Sequence, residues 1–179
     1  MNEFPKPEVL FSPEHIATRL KELSVEINIH YQGEEILLVS ILDGAIIFTA
    51  DLLRLLTVPT RLDCLRISSY ANSTTAQSDP RITGSLKSDL TGRHVLLVDD
   101  ILDTGKTMHA ACEEIRSLHP RSLRTCVFLD KPERRKNGFL ADWAGFTIPN
   151  QFVIGYGLDY AGRYRELPYL GTLPESAHP

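Results

Sequence analysis

Two short, almost uninterrupted apolar runs constrain the fold of this chain more than any other feature of its sequence. Residues 36–42 read Ile-Leu-Leu-Val-Ser-Ile-Leu, and residues 94–98 read His-Val-Leu-Leu-Val. A strand of this kind is covered on both faces, as in a parallel sheet that has helices on each side. Helical patterns follow the two runs, at residues 45–56 and 106–118. The alternation predicts an α/β domain with a mainly parallel sheet.

The remaining elements extend this pattern along the chain. Residues 12–29 are predicted to be helical, with Ser12 as the N-cap and Pro13 in the first turn. Further strands are expected at residues 60–69, 123–129 and 152–156. Residues 72–88 are rich in Ser, Thr, Ala and Asp, and their length favours a mobile loop or flap over a simple connection.

Composition narrows the class of protein. The three cysteines are an odd number and form no Cys-x-x-Cys motif, which favours reduced thiols in a cytoplasmic protein over disulfides or a zinc site. No apolar run has the length of a signal peptide or a membrane span. The net charge of −4 argues against broad nucleic-acid binding. A phosphorylated ligand would therefore be held locally.

The segment from Val98 to Thr107 carries the clearest functional pattern. It reads Val-Asp-Asp-Ile-Leu-Asp-Thr-Gly-Lys-Thr and joins a buried strand to a helix, where open α/β sheets bind ligands. Free N–H groups at the helix start, and the close approach that Gly105 allows, suit a phosphate. Asp99 and Asp100 would repel phosphate, but they can accept hydrogen bonds from sugar hydroxyls and help to hold a divalent cation. The order predicts a phosphorylated ribose.

Two other motifs fail at this segment. A Walker A loop needs glycine at the position of Asp100, and an EF-hand that starts at Asp99 needs an oxygen ligand at the position of Ile101. The Gly-Lys-Thr triplet alone would indicate only an acidic turn exposed to solvent. The full segment after an apolar strand favours the ligand site.

This segment resembles the phosphoribosyl-pyrophosphate loop of type I phosphoribosyltransferases, and residues 35–170 resemble their hypoxanthine–guanine branch. The resemblance implies a Rossmann-like fold, with a mainly parallel twisted sheet flanked by helices. It also implies a single domain over residues 1–179, comprising a core at about 35–150, a hood from about 1–15 and 151–179, and a flexible flap at about 70–90.

The implied activity is purine salvage. The 5-phosphoribosyl group of phosphoribosyl pyrophosphate passes to hypoxanthine and/or guanine, with Mg²⁺ as cofactor, and gives IMP or GMP and pyrophosphate. Within the loop, Asp99 and Asp100 match the residues that bind the ribose hydroxyls. Asp103 matches the carboxylate near the purine N7 and is the candidate general base. The cradle for the 5′-phosphate matches Thr104, Gly105, Lys106 and Thr107.

The resemblance also assigns residues outside this loop. Leu42, Asp43 and Gly44 match a pyrophosphate loop that often has a cis peptide before its middle residue, and Arg165 matches an arginine that contacts pyrophosphate. Asp159 matches a metal-site carboxylate, which would act together with Asp99 and Asp100. The start of the flap matches Ser69 and Tyr70.

Base recognition is implied by a third group. Lys131 matches a lysine that contacts the purine 6-oxo group, and its three donors would disfavour the 6-amino group of adenine. Phe152 matches the ring-stacking residue, and Val153 matches its neighbour, whose backbone reads the far edge of the base. The choice among hypoxanthine, guanine and xanthine stays open.

One position departs from the family. Relatives commonly carry a basic residue where this chain has Asp43, and a carboxylate facing pyrophosphate would repel it. We expect the loop amides to bind pyrophosphate, while the Asp43 side chain points away or meets metal-bound water. The alternatives are a transferase of the same fold that acts on xanthine or a pyrimidine, or a regulatory protein that binds nucleotide or RNA. A homo-oligomer, dimer or tetramer, is expected by analogy.

Overall fold

A computed structural model describes residues 6–68, 80–135 and 137–174. Within these residues the chain forms three α-helices and nine strands. The helices are α1 (Pro13–His30), α2 (Ile46–Leu55) and α3 (Lys106–Ser117). The strands are β1 (Glu8–Phe11), β2 (Ile36–Leu42), β3 (Thr60–Ser68), β4 (Arg81–Ile82), β5 (His94–Leu102), β6 (Ser122–Asp130), β7 (Trp143–Thr147), β8 (Val153–Ile154) and β9 (Leu170–Thr172).

Six strands form the main sheet, in the order β4-β3-β2-β5-β6-β7. All neighbouring pairs are parallel except β3 and β4, which are antiparallel. The two apolar runs pair directly, with Ile36 opposite His94 and Ser40 opposite Val98. The central strands β2 and β5 are buried along most of their length, because helices cover the sheet on both faces. The predicted α/β fold is confirmed.

Helices α1 and α2 pack on one face of the sheet, and α3 packs on the other. The stripe predicted for α1 is confirmed, because Ile16, Leu20, Leu23 and Ile27 are all buried. Ser12 caps this helix as predicted, since its Oγ accepts a hydrogen bond from the backbone N–H of His15 at 3.3 Å. The helices cover both faces of the sheet, so a ligand site is expected at the carboxyl ends of its parallel strands.

A second, antiparallel sheet of three strands joins the two ends of the described chain. Its order is β1-β9-β8, with Glu8 opposite Thr172 and Val153 opposite Thr172 on the other side. Strand β1 therefore comes from the amino-terminal part and β8 and β9 from the carboxyl-terminal part. Long-range pairing of this kind leaves no local sequence signal.

Several element boundaries differ from the predictions. Strand β5 runs to Leu102, so Asp99 and Asp100 lie within the strand and not in the loop that follows it. The predicted strand at 152–156 is only two residues long, and β7 was not predicted. Of the predicted flap, Ser69 and Tyr70 lie outside the described residues, whereas Arg81–Ile82 is a short strand. No helix in the described chain has the length and apolarity to cross a membrane.

Candidate active site

The carboxyl end of β5 presents two adjacent carboxylates, of which Asp99 is buried and Asp100 is partly buried. Asp99 is only 5% exposed, and its Oδ1 accepts a hydrogen bond from the backbone N–H of Asp100 at 3.0 Å. Burial raises the pKa of both groups, and the neighbouring charge of Asp100 raises the pKa of Asp99 further. Two carboxylates held this close out of water need hydrogen-bond donors or a cation to be ionised together.

The turn after β5 forms a small cavity at the start of α3. Gly105 is the N-cap of α3 and has a φ of +81°, a conformation that a side chain would strain. A Cβ there would also lie 2.5 Å from the Asn137 Oδ1. The cavity has a volume of about 220 Å³, and Thr104, Gly105 and Thr107 line it. Three of the four residues of the predicted phosphate cradle, all except Lys106, therefore surround an open space at a helix N-terminus.

The segment from Leu42 to Gly44 lies against this turn. The peptide bond between Leu42 and Asp43 is cis, as the resemblance implied. A Cβ on Gly44 would overlap the Asp100 carboxylate on one side, and the Gly44 carbonyl packs against Gly157 on the other. Three separate chain segments thus meet at Gly44, which explains why no larger residue fits there.

The Asp43 side chain forms an ion pair with Arg66. Its Oδ1 accepts a hydrogen bond from the Arg66 guanidinium at 2.8 Å, and both side chains are more than half exposed. Arg66 lies at the end of β3, in register with Leu42. This ion pair balances the negative charge that sequence analysis identified as a departure from the family.

Arg165 connects the third segment to the site. Its Nη1 donates to the Gly157 carbonyl at 2.6 Å, and its Nη2 is paired with Asp159 Oδ1 at 2.7 Å. The charge of Arg165 also favours the ionised form of Asp100, although burial raises the pKa of that carboxyl overall. The structure therefore brings Asp100, Asp159 and Arg165 into one electrostatic neighbourhood.

Metal ligands are incomplete in the protein itself. Within residues 6–68, 80–135 and 137–174, no three His, Cys, Asp or Glu side chains form a group that could hold a metal ion. Asp159 uses its Oδ2 to accept a hydrogen bond from the backbone N–H of Gly162 at 2.7 Å. Oxygen atoms of a bound ligand would have to complete the coordination of a cation here.

Lys131 lies at the carboxyl end of β6 and is only 6% exposed. Its Nζ donates to the Gln151 carbonyl at 2.6 Å, and burial lowers the pKa of its ammonium group. Phe152 follows Gln151 directly and contacts Tyr160 edge to face, with ring centroids 5.8 Å apart. Lys131 is therefore next to the predicted ring-stacking segment, and buried Val153 begins β8.

Sequence reasoning missed two arginines at this site. Arg134 Nη1 is paired with Asp103 Oδ2 at 2.9 Å, and Arg135 Nη2 donates to the Leu102 carbonyl at 2.8 Å. Arg135 also forms a close ion pair with Asp130, and its side chain is only 5% exposed. The consecutive arginines after Lys131 were the available signal, but a basic pair in a sequence usually indicates an exposed surface.

A larger cavity lies away from the turn after β5, with Arg165 of the candidate site among its lining residues. It has a volume of about 520 Å³ and is lined mostly by apolar side chains of α1, α2 and the segment from Tyr156 to Pro168. None of the turn residues after β5 lines it. The turn remains the better candidate for a phosphorylated ligand, because it combines a helix N-terminus with acceptors for hydroxyl groups.

Comparison with known proteins agrees with this geometry. A family model of the phosphoribosyl transferase domain matches residues 10–161. The chain is 43% identical over 171 residues to a hypoxanthine-guanine phosphoribosyltransferase of Mycobacterium avium, covering 92% of this chain and 84% of the relative. For a protein of the same name from Bacillus subtilis, the identity is 39% over 171 residues, covering 96% and 95%.

Solved structures show the same fold. A hypoxanthine-guanine phosphoribosyltransferase of Bacillus anthracis, with a HEPES molecule in its active site, superposes with a TM-score of 0.90 at 36% identity. That match covers 96% of this chain and 100% of the other. A hypoxanthine phosphoribosyltransferase of Trypanosoma cruzi gives a TM-score of 0.88 at 39% identity, covering 97% of both chains. The chain therefore belongs to the phosphoribosyltransferase family.

Proposed function

We propose that this protein is a hypoxanthine–guanine phosphoribosyltransferase that acts in purine salvage. It transfers the 5-phosphoribosyl group of phosphoribosyl pyrophosphate to hypoxanthine and/or guanine and releases pyrophosphate. The observation that carries the proposal is the turn after β5, where buried Asp99 and partly buried Asp100 precede a cavity at the start of α3. The names and similarity of the relatives support the same activity.

The sugar phosphate would bind along this turn. Thr104, Gly105, Lys106 and Thr107 would surround the 5′-phosphate with backbone N–H groups and hydroxyls. Asp99 and Asp100 would accept hydrogen bonds from the 2′- and 3′-hydroxyls, whose donors favour the ionised carboxylates. These bonds would offset the burial that raises the pKa of the pair.

Pyrophosphate would lie between the Leu42–Gly44 loop and Arg165. The charge of Arg165 would stabilise the negative charge that grows on the leaving group. Asp99, Asp100 and Asp159 would help to hold Mg²⁺, and they fit this ion because carboxylate oxygens are the ligands that it prefers in proteins. When bound, the ion would supply further charge stabilisation to pyrophosphate.

The base would bind beside Lys131 and Phe152. Lys131 would donate to the purine 6-oxo group, Phe152 would stack on the ring, and the Val153 backbone would read the far edge. Asp103 would act as general base toward the N7 proton while the base attacks the anomeric carbon. The flap that begins at Ser69 and Tyr70, which lies outside the described residues, would exclude water from the activated sugar.

The proposal also covers the cellular compartment, the oligomeric state and the domain organisation. All three cysteines, Cys64, Cys112 and Cys126, are free, which supports a reducing compartment such as the cytoplasm. We expect a homo-oligomer by analogy with the family. We also assign the hood to the small sheet of β1, β8 and β9, and the core to the six-stranded sheet.

Asp43 gives a test of how pyrophosphate is held. Since the Asp43 carboxylate is already paired with Arg66, we expect the loop amides to do the binding and D43K to bind pyrophosphate similarly or more tightly. Isothermal titration with pyrophosphate and Mg²⁺ would measure this. The uncharged D43N variant separates loss of the carboxylate from gain of a cation, and a large loss of affinity in both variants would show a direct role for the carboxylate.

A release assay tests the proposed function directly. The protein is incubated with phosphoribosyl pyrophosphate, Mg²⁺ and one base at a time, chosen from hypoxanthine, guanine, xanthine, adenine and uracil, and released pyrophosphate is measured. We expect release with hypoxanthine or guanine. Release only with adenine or uracil would overturn the substrate assignment, and no release with any base would favour a regulatory protein.

A further inference from the structure

Two consecutive arginines hold the backbone and the side chain of one aspartate, Asp103. Arg135 donates to the Leu102 carbonyl at 2.8 Å and to the Asp103 carbonyl at 3.2 Å. Arg134 forms an ion pair with Asp103 Oδ2 at 2.9 Å. The short 3₁₀ turn Pro132–Arg134 that follows Lys131 therefore reaches across to the turn after β5.

The two arginines differ in what their contacts can contribute. The Arg135 side chain is 5% exposed and also donates to the Phe139 carbonyl at 2.7 Å, so its removal would take a donor from partly buried carbonyls and leave the Asp130 carboxylate without its ion pair. The Arg134 side chain is 50% exposed, and that of Asp103 is 29% exposed. Ion pairs this open to solvent contribute little to folding stability. The contact of Arg134 therefore has little structural value, although it lies at the candidate site.

The other carboxylate oxygen of Asp103, Oδ1, suggests a role for the ion pair between Arg134 and Oδ2. Asp103 Oδ1 is buried and has no hydrogen-bond partner among the residues that the structure describes. A buried acceptor without a donor is unfavourable, and a donor on a bound ligand would remove that penalty. Because Arg134 pairs with Oδ2, the rotation of the carboxylate is restricted, and Oδ1 is the oxygen left for a ligand donor, which would reach this buried atom through a shift of the turn on binding.

Charge also links this aspartate to the base site. The negative charge of Asp103 favours the protonated form of Lys131, whereas the charge of Arg134 opposes it. The three side chains are therefore within electrostatic range of one another. Arg134, which sequence analysis did not single out, belongs to the same neighbourhood as the residues assigned to base recognition.

We propose that Arg134 is a positioning residue of the base site, which holds Asp103 Oδ2 so that Oδ1 is presented to the purine N7. The proposal rests on the proposed function, because it assumes that Asp103 acts toward the base. Arg134 itself touches neither the base nor the sugar phosphate. Its removal should slow turnover while it leaves the binding of both substrates nearly unchanged.

Steady-state kinetics of four variants test this assignment. For R134A we expect kcat with hypoxanthine to fall about 10-fold, because a misdirected carboxylate transfers or orders the proton poorly. KM for hypoxanthine and for phosphoribosyl pyrophosphate should stay within about two-fold of the parent value. R134K should restore most of the lost turnover, since lysine can still pair with Oδ2.

A double variant and a matched control complete the test. In the D103N background, R134A should cause no further loss, since both substitutions then remove the same function. The control is R116A, because Arg116 forms a similar exposed ion pair with Glu113, at 2.8 Å, near the carboxyl end of α3 and away from the turn after β5. R116A should keep the parent kcat and KM.

Three results would overturn the assignment. A raised KM for either substrate with unchanged kcat would make Arg134 a ligand contact. An equal loss from R134A in the parent and in the D103N background would show that it acts independently of Asp103. An equal loss in R116A would indicate a general effect of removing a surface ion pair. If the unsubstituted protein is inactive with all five bases, the proposed function fails first, which distinguishes the two failures.

Discussion

The two ends of the main sheet both carry many charges, but they use them differently. At the amino end, Glu35 Oε1 is paired with Arg61 and with Arg93, at 3.1 Å in each case. These side chains are at least partly exposed, and each of the two arginines is paired with the glutamate. At the carboxyl end, Asp99 is buried beside Asp100, and Asp103 Oδ1 is buried without a partner among the described residues.

This contrast teaches how a site can be told from a charged surface. Charge alone does not distinguish the two ends, because each combines acidic and basic side chains. What distinguishes them among the described residues is a buried carboxylate oxygen without a partner, because the buried unpaired atom at the amino end, His94 Nε2, belongs to an imidazole. An unpaired buried carboxylate is unfavourable unless a ligand or ion compensates it. We expect substitutions at the carboxyl end to change catalysis and those at the amino end to change almost nothing.

The sharpest test of this contrast is Asp103. We expect D103N to lower kcat by about 100-fold or more, because the amide cannot accept the N7 proton. Binding of phosphoribosyl pyrophosphate, measured by isothermal titration, should change little. Unchanged turnover would remove Asp103 from the mechanism and weaken the distinction between the two ends.

A buried carboxylate with all its partners should behave as a structural group. Asp63 is 8% exposed and accepts hydrogen bonds from the backbone N–H groups of Cys64, Lys87 and Ser88, each at 2.8 Å. We expect D63N to lower the free energy of unfolding by about 1–3 kcal/mol, because the amide nitrogen cannot accept these bonds. Urea denaturation at neutral pH would measure the loss, with R61A as an exposed control on the same strand.

The pH dependence of this loss has a definite sign. Burial opposes ionisation of Asp63, but the hydrogen bonds from Ser88, Cys64 and Lys87 outweigh it and lower the pKa. A carboxyl whose pKa is lower in the folded state stabilises the protein above its unfolded pKa, and this contribution is lost as the pH falls through the folded value. D63N should therefore differ most from the parent near neutral pH and least in strong acid. An equal difference at all pH values would contradict this role.

Gly44 tests whether the meeting of segments at the carboxyl end matters for binding. A Cβ at Gly44 would overlap the Asp100 carboxylate and force it to move. We expect G44A to raise KM for phosphoribosyl pyrophosphate by about 10-fold, which corresponds to about 1.4 kcal/mol. G33A, before β2 at the amino end, is a suitable control, because a Cβ there would meet nothing within 4 Å and only the strain of a positive φ is added. Equal KM values in both variants would argue against binding at Asp100.

The smallest effect is expected at the amino end. E35Q removes the charge that pairs with Arg61 and Arg93, and these pairs are partly exposed. We expect the free energy of unfolding to change by less than about 1 kcal/mol and kcat to stay at the parent value. Thermal denaturation and the pyrophosphate release assay would check both. A large fall in kcat would show that the amino end is coupled to the site and would break the comparison.

Much of the fold followed from local patterns. The bounds of β2 agree with the apolar run at 36–42, and α1 begins after the predicted cap at Ser12. Strand β7 was missed because Gly145 weakens the strand pattern in its sequence. The glycine is explained only by the neighbouring strand, whose Phe128 carbonyl packs closely against it. The full length of β5 was missed because Asp99 and Asp100 resemble loop residues until pairing with β6 includes Asp99.

The candidate site likewise has a part that the sequence predicted and a part that it did not. The order of residues in the turn after β5 predicted a phosphorylated ribose, because each group there is suited to a neighbouring part of one such ligand. Arg134 was not predictable, since its partner Asp103 is 31 positions away in the sequence. The pairing of Asp43 with Arg66 was equally hidden, although it explains how a carboxylate is accommodated in this loop.

The sequence by itself determined which segments become buried strands and which turn can bind a phosphate, because hydrophobic burial and helix starts depend on residues close together in the chain. Only the tertiary structure decided which charged side chains come together at the carboxyl end of the sheet and which of them stay unpaired. The physical reason is that an ion pair or an unpaired acceptor depends on distances between side chains, and the packing of strands from distant parts of the chain sets those distances.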